Sequence, residues 1–228
     1  MSSKLKIQPF SLEGTKGYRA YLGKTPLSRK PVEMDRALQQ ADALRTSGKL
    51  DDVKAYPLSE TDMRAIIPTL KIQSYTDLLD ASELDDVLDD KGRLMLLYLT
   101  ENESTGHWIC LLKLRDSNVV EFMDPYGNFK PDGEKKWLTN ETLREFGQDT
   151  NKLTKLLRDS SYTVKSSAVP FQQEEDDNNT CGKHCLLRLY MKHLSLPEYA
   201  AFVADACEAE DLTPDEFVCG FVHSLIGK

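Results

Sequence analysis

The run His107-Trp108-Ile109-Cys110-Leu111-Leu112-Lys113-Leu114, followed by Arg115-Asp116-Ser117-Asn118 and then Val119-Val120-Glu121-Phe122-Met123-Asp124, decides the fold class. Two apolar segments flank four turn-forming residues, the pattern of an antiparallel hairpin. Pro125-Tyr126-Gly127 ends it. Upstream, Leu94-Met95-Leu96-Leu97-Tyr98-Leu99 is apolar without alternation, which predicts a strand buried on both faces. Downstream, Tyr162 to Ala168 is a further strand candidate.

Around these strands the apolar spacing turns helical. Met34, Leu38, Ala41 and Leu44 predict a helix over 32–46 that Gly48 ends. Ser59 is a candidate N-cap with Asp62 three residues on, opening a short helix that Pro68 stops. Tyr75 to Leu88 is acidic with helical spacing, and a polar helical stretch covers Asn140 to Leu157. The C-terminal third reads as helices over 182–194, 198–208 and 214–226, the last with Thr213 as N-cap and Pro214 in its first turn. Leu5 to Phe10 and Tyr18 to Leu22 read as short strands or an ordered arm. The sum is an α+β protein with a small mixed or antiparallel central sheet flanked by helices, and no internal repeat.

Composition bounds the partners. The chain has 228 residues and a net charge of −8, but residues 1–57 hold 11 Lys and Arg against 6 Asp and Glu, leaving 18 against 31 for the rest. We therefore divide it into a basic N-terminal extension or subdomain, 1–57, and a main domain, 58–228. The acidic body would repel a polyanion, so DNA binding is expected only through 1–57. No apolar run approaches a membrane span of ~18 residues, and Met1-Ser2-Ser3-Lys4-Leu5-Lys6 lacks the apolar core of a signal peptide, so neither membrane insertion nor secretion is expected. Five cysteines without a regular framework suit free thiols in a reducing compartment.

One cysteine stands apart. Phe171-Gln172-Gln173 leads through the polar run 174–180 to Cys181-Gly182, at the start of an apolar, helix-patterned run. A helix N-terminus presents unpaired N–H groups and the positive end of the dipole, both of which favour thiolate. Antiparallel pairing brings His107, at the start of one strand, and Asp124, at the end of the next, to the same edge of the sheet. An imidazole oriented by a carboxylate is the base a thiol nucleophile requires. Gln173, or Gln172 as the alternative, could donate an amide N–H to an oxyanion beside the Cys181 N–H. Trp108 is a candidate wall of a substrate groove. A metal-binding interaction module is the non-enzymatic alternative, with Cys181, His184 and Cys185 joined by Cys207 or Cys219 as ligands; the protease reading itself needs no metal or cofactor.

His107-Trp108, the run Phe122-Met123-Asp124-Pro125-Tyr126-Gly127, and Gln-(loop)-Cys181-Gly182 together resemble the adenovirus maturation proteinase (adenain) and its clan, which includes the proteases of ubiquitin-like modifiers. Within that clan the chain looks most like the maturation proteases of virophages and polinton-type elements of the mavirus kind. The resemblance covers 58 to the C-terminus and implies an adenain-like cysteine protease fold with a permuted papain-like core. It implies a Cys181–His107–Asp124 triad with a glutamine oxyanion hole, cleaving capsid or virion precursors near small residues, often glycine. The place of action would be the virion or the viral factory in host cytoplasm. Adenain has Glu where this chain has Asp124, the loop from Gln173 to Cys181 is a residue or two longer than in the clan, and 1–57 has no counterpart there. Processing of ubiquitin-like modifiers is the alternative activity.

Overall fold

The computed structural model describes residues 7–10, 32–102 and 105–226; the predicted run Tyr18 to Leu22 lies outside them. The described residues divide into two compact units, one holding 7–10 and Thr69–Pro170, the other holding 32–68 and 171–226. A boundary at residue 57 is therefore not one of the structure. The helices before it belong with the C-terminal helices, because their apolar faces are buried there.

The first unit is a six-stranded mixed sheet in the order β1-β6-β5-β4-β3-β2, its strands being β1 Ile7–Phe10, β2 Ile72–Ser74, β3 Arg93–Asn102, β4 Thr105–Lys113, β5 Val119–Met123 and β6 Thr163–Ser167. The predicted hairpin is β4–β5, antiparallel with Cys110 opposite Met123, and β3 pairs antiparallel on the other side of β4. Parallel pairs flank this core: β2 with β3, β5 with β6, and β1 with β6. Strand β3 is buried from Arg93 to Leu99, as its unalternating composition predicts. On one face Leu94, Leu96, Tyr98, Ile109, Leu111, Val120, Phe122 and Val164 form a core with Tyr75, Leu78, Leu84 and Leu153. At about 1.5–3 kcal/mol for each fully buried large apolar side chain, this core dominates the stability of the unit. Met95, Leu97, Cys110, Leu112 and Met123, on the opposite face by strand alternation, are buried as well.

Two predicted helices are broken. The 75–88 segment forms only short 3₁₀ turns, Tyr75–Leu78 and Leu84–Val87. The carboxylates of Asp77 and Asp86 accept from the backbone N–H groups of Ser74, Ser82 and Glu83, so each turn is capped and restarted. The 140–157 stretch splits into α4 (Asn140–Glu145) and α5 (Lys152–Asp159) at Gly147, whose φ is +62°. Just beyond the break, the Gln148 carboxamide pairs with both the N–H and the carbonyl of Leu99 at 3.0 and 2.8 Å, completing β3 beyond the reach of β2.

The second unit is helical. Helices α1 (Val32–Thr46), α2 (Leu50–Ala55) and α3 (Glu60–Ile66) join α6 (Cys181–Tyr190), α7 (Leu196–Glu210) and α8 (Pro214–Ile226). Ser59 and Asp62 form the predicted capping box of α3. Helix α1 crosses α8 closely: a Cβ on Gly220 would sit 2.3 Å from the Ala37 carbonyl oxygen and 2.7 Å from the Ala41 side chain. Among the described residues no helix is long and apolar enough to cross a membrane.

Candidate active site

In the first unit the hairpin register sets the geometry. His107 lies opposite Tyr98 on β3 and so shares the face of the apolar core. Asp124, directly after β5, points to the same face as Phe122. The two meet: His107 Nε2 lies 2.9 Å from Asp124 Oδ1, with the carboxylate fully buried and the imidazole nearly so. The same Oδ1 accepts the N–H of Tyr126 at 3.0 Å, fixing the carboxylate over the turn that begins at Pro125. That turn closes with Gly127 N–H on the Asp124 carbonyl, at a φ of +75° and with the backbone of 168–170 packed where a Cβ would stand.

Carrying the register three residues past β5 places Tyr126 opposite His107, and their rings stack at 4.7 Å. Trp137 closes the corner edge-on to both rings, 6.5 Å from His107 and 5.7 Å from Tyr126. It is half exposed. Trp137 ends a 3₁₀ turn, Gly133–Trp137, that starts from Asp132 in the left-handed region. Asp132 is held there by the Tyr75 hydroxyl at 2.7 Å, the Thr154 N–H at 2.9 Å and the Lys135 ammonium at 3.0 Å. Burial, then the Asp132 carboxylate, pushes the Tyr75 phenol well above its ordinary value, so it remains a donor. Trp108, expected as a groove wall, pairs with Leu97 and is half-buried. Being the next strand residue, it projects from the face opposite His107; the aromatic residues beside the imidazole are Tyr126 and Trp137.

In the second unit Cys181 is the first residue of α6, 9% exposed, with Thr180 as the N-cap. This is one residue earlier than the sequence pattern predicts for the helix and places the thiol in the first turn. The loop before it is tied at many points. The buried Gln172 donates one amide N–H to the Asn178 carbonyl at 2.8 Å, and Asn178 Nδ2 donates to the Gln173 carbonyl at 2.9 Å. Gln173 is exposed, as are Glu174 to Asp177. The three carbonyls that end α2 accept from the far side of the loop: Lys54 from the Asn179 N–H at 3.0 Å, Ala55 from Asn179 Nδ2 at 2.8 Å, Tyr56 from Lys183 Nζ at 2.5 Å. Burial lowers the pKa of Lys183, against the opposing pull of the Cys219 and Cys181 thiols and of Asp215 and Asp62.

A second His–Asp pair, unforeseen in the sequence, lies in this unit. His184 Nε2 is 2.9 Å from Asp215 Oδ1, and neither side chain has any exposed surface. Among the described residues no group of three or more His, Cys, Asp or Glu is arranged to hold a metal ion. Burial pushes the thiols of Cys207 and Cys219 up to about 12. The structure therefore joins His107 to Asp124 in one unit and sets Gln172, Gln173 and Cys181 along one braced loop in the other.

These features define the class as an α+β protein with a mixed sheet flanked by helices, carrying a buried His–Asp pair on a hairpin and a cysteine at a helix N-terminus. No family model matches the chain, and no solved structure matches it. It is 34% identical over 148 residues to "Uncharacterized protein V9" of Sputnik virophage, covering 65% of this chain and 83% of that relative. The chain belongs to the family of that virophage protein.

Proposed function

We propose that the protein is a cysteine endopeptidase that cleaves capsid or other virion precursors during particle maturation, acting in the virion or the viral factory. The observation that carries this reading is the buried 2.9 Å contact between His107 and Asp124 on the hairpin. The helix-terminal Cys181 and the kinship with a virophage protein support it.

The mechanism requires the Cys181 thiol to reach His107. The Sγ proton passes to Nδ1, and the thiolate attacks the scissile carbonyl carbon, forming a C–S bond as the C=O π electrons move to oxygen. The oxyanion is received by the Cys181 N–H and a glutamine amide. We assign that amide to Gln172, not to the Gln173 favoured by sequence, because its orientation is held by Asn178 with a second N–H to spare. Collapse of the intermediate breaks the C–N bond as the imidazolium protonates the leaving amine, giving a thioester. Water, deprotonated by the same imidazole, then attacks the thioester and releases the thiolate and a carboxylate product.

The test is cleavage of a cognate capsid precursor, with products identified by mass, beside ubiquitin-type C-terminal fluorogenic substrates. Cys181→Ala and His107→Ala are expected to abolish cleavage. Retained cleavage in Cys181→Ala refutes the reading, and turnover confined to the ubiquitin-type substrates redirects it to modifier processing.

A further inference from the structure

The loop between Gln172 and Cys181 is eight residues long, yet both of its ends converge on one side chain from a distant helix. Asp215, in the first turn of α8, accepts the Gln173 N–H on Oδ2 at 3.0 Å. On Oδ1 it accepts the Thr180 hydroxyl and His184 Nε2. The Thr180 hydroxyl has a single proton and two acceptors in range, Asn178 Oδ1 and the carboxylate; the carboxylate is nearer and charged, and takes it. A carboxylate only accepts, so His184 Nε2 carries a proton and donates it to Asp215. The pair therefore keeps a full carboxylate charge that three donors satisfy.

The gripped residues are significant by position. Gln173 follows Gln172, and Thr180 precedes Cys181. With its ends drawn to one point, the loop turns its acidic tip, Glu174 to Asp177, out to solvent. The fully enclosed His184 cannot exchange protons with a substrate, which distinguishes it from the His107–Asp124 pair. The titratable groups facing Asp215 are His184 and Lys183 on α6, Lys54 on α2, Cys207 on α7 and Cys219 on α8.

We infer that Asp215, with His184, is a positioning residue that sets the Cys181 thiol and the Gln172 amide by clamping both ends of the loop between them. The inference rests on Cys181 being the nucleophile, but its test does not need a peptide substrate. The rate of Cys181 alkylation by iodoacetamide, localised by peptide mass, is followed from pH 5 to 9 in the full chain and its variants, with folding checked by circular dichroism. In Asp215→Asn an amide N–H can oppose the Gln173 N–H, so one end of the clamp opens. Alkylation at neutral pH is expected to fall about tenfold, with the profile displaced by about one pH unit. His184→Ala should behave likewise, and His184→Gln, whose amide can offer an N–H near the Nε2 position, should recover most of the rate. Profiles unchanged in folded Asp215→Asn, or equal in His184→Ala and His184→Gln, overturn the inference. If Asp215→Asn does not fold, the His184 pair decides alone. Failure of the peptidase reading shows separately, as cleavage that survives Cys181→Ala.

Discussion

His107 meets Asp124 through Nε2, 2.9 Å from Oδ1, and this leaves Nδ1 as the ring nitrogen able to take a proton from a thiol. A carboxylate only accepts, so Nε2 carries the ring proton and the lone pair stands on Nδ1. The stacked Tyr126 ring holds the plane of the imidazole.

Asp124→Ala removes the orienting acceptor and the partner of the imidazolium while leaving the ring in place. Peptide cleavage is expected to drop by about 10²–10⁴-fold in kcat/KM. Asp124→Asn should lose less, since its amide oxygen can still accept from Nε2. Steady-state kinetics on a fluorogenic substrate compares the two.

Gln172→Ala should cost about 10²–10³ in kcat with little change in KM, as the loss of one oxyanion donor does. Gln173→Ala should lie near wild type, its side chain being exposed. The reverse ranking would return the oxyanion role to Gln173.

Position, and not exposure, separates the cysteines. All five are buried, but Cys181 alone opens a helix, while burial holds the thiols of Cys207 and Cys219 up to about 12. Titration with a thiol reagent at pH 7 should modify Cys181 in the native state and all five cysteines only after denaturation. Rapid native modification of a second thiol would contradict the packing.

Acid stability follows from Asp215. Burial acts to raise its pKa, but the bonds from His184, Thr180 and the Gln173 N–H together hold it below the ordinary carboxylate value. With the folded pKa below the unfolded one, the group stabilises the fold above about pH 4 and loses that contribution as pH falls through the folded value. Asp215→Asn should flatten the acid limb of stability against pH, measured by urea unfolding between pH 2 and 7.

Gly220→Ala places a methyl group 2.3 Å from the Ala37 carbonyl oxygen, where backbone must move to admit it. Overpacking of this kind costs about 1–3 kcal/mol, so the urea midpoint should fall with an unchanged m-value.

The sequence and the structure agree most closely where the determining interactions are local. The hairpin, the box of Ser59 and Asp62, and the helices over 32–46 and 214–226 rest on neighbours in the chain. Even the stack of Tyr126 on His107 was within reach, because a four-residue turn over 115–118 already sets 107 opposite 126. The 75–88 and 140–157 segments misled because their apolar spacing is helical, while aspartate capping and the left-handed Gly147 interrupt the backbone.

By itself the sequence determined the α+β class, the antiparallel core of the sheet, and the order of histidine, acid, glutamine and cysteine, since periodicity and turn chemistry act over a few residues. Tertiary structure alone decided the parallel strands at the sheet edges, the sorting of the helices before residue 57 with the C-terminal helices, the choice of His107 nitrogen that faces Asp124, and the clamp of Asp215 on the Cys181 loop. These depend on groups 31 to 42 residues apart and further, such as Asp215 with His184 and with Gln173, whose meeting is set by packing of the whole unit and leaves no local pattern.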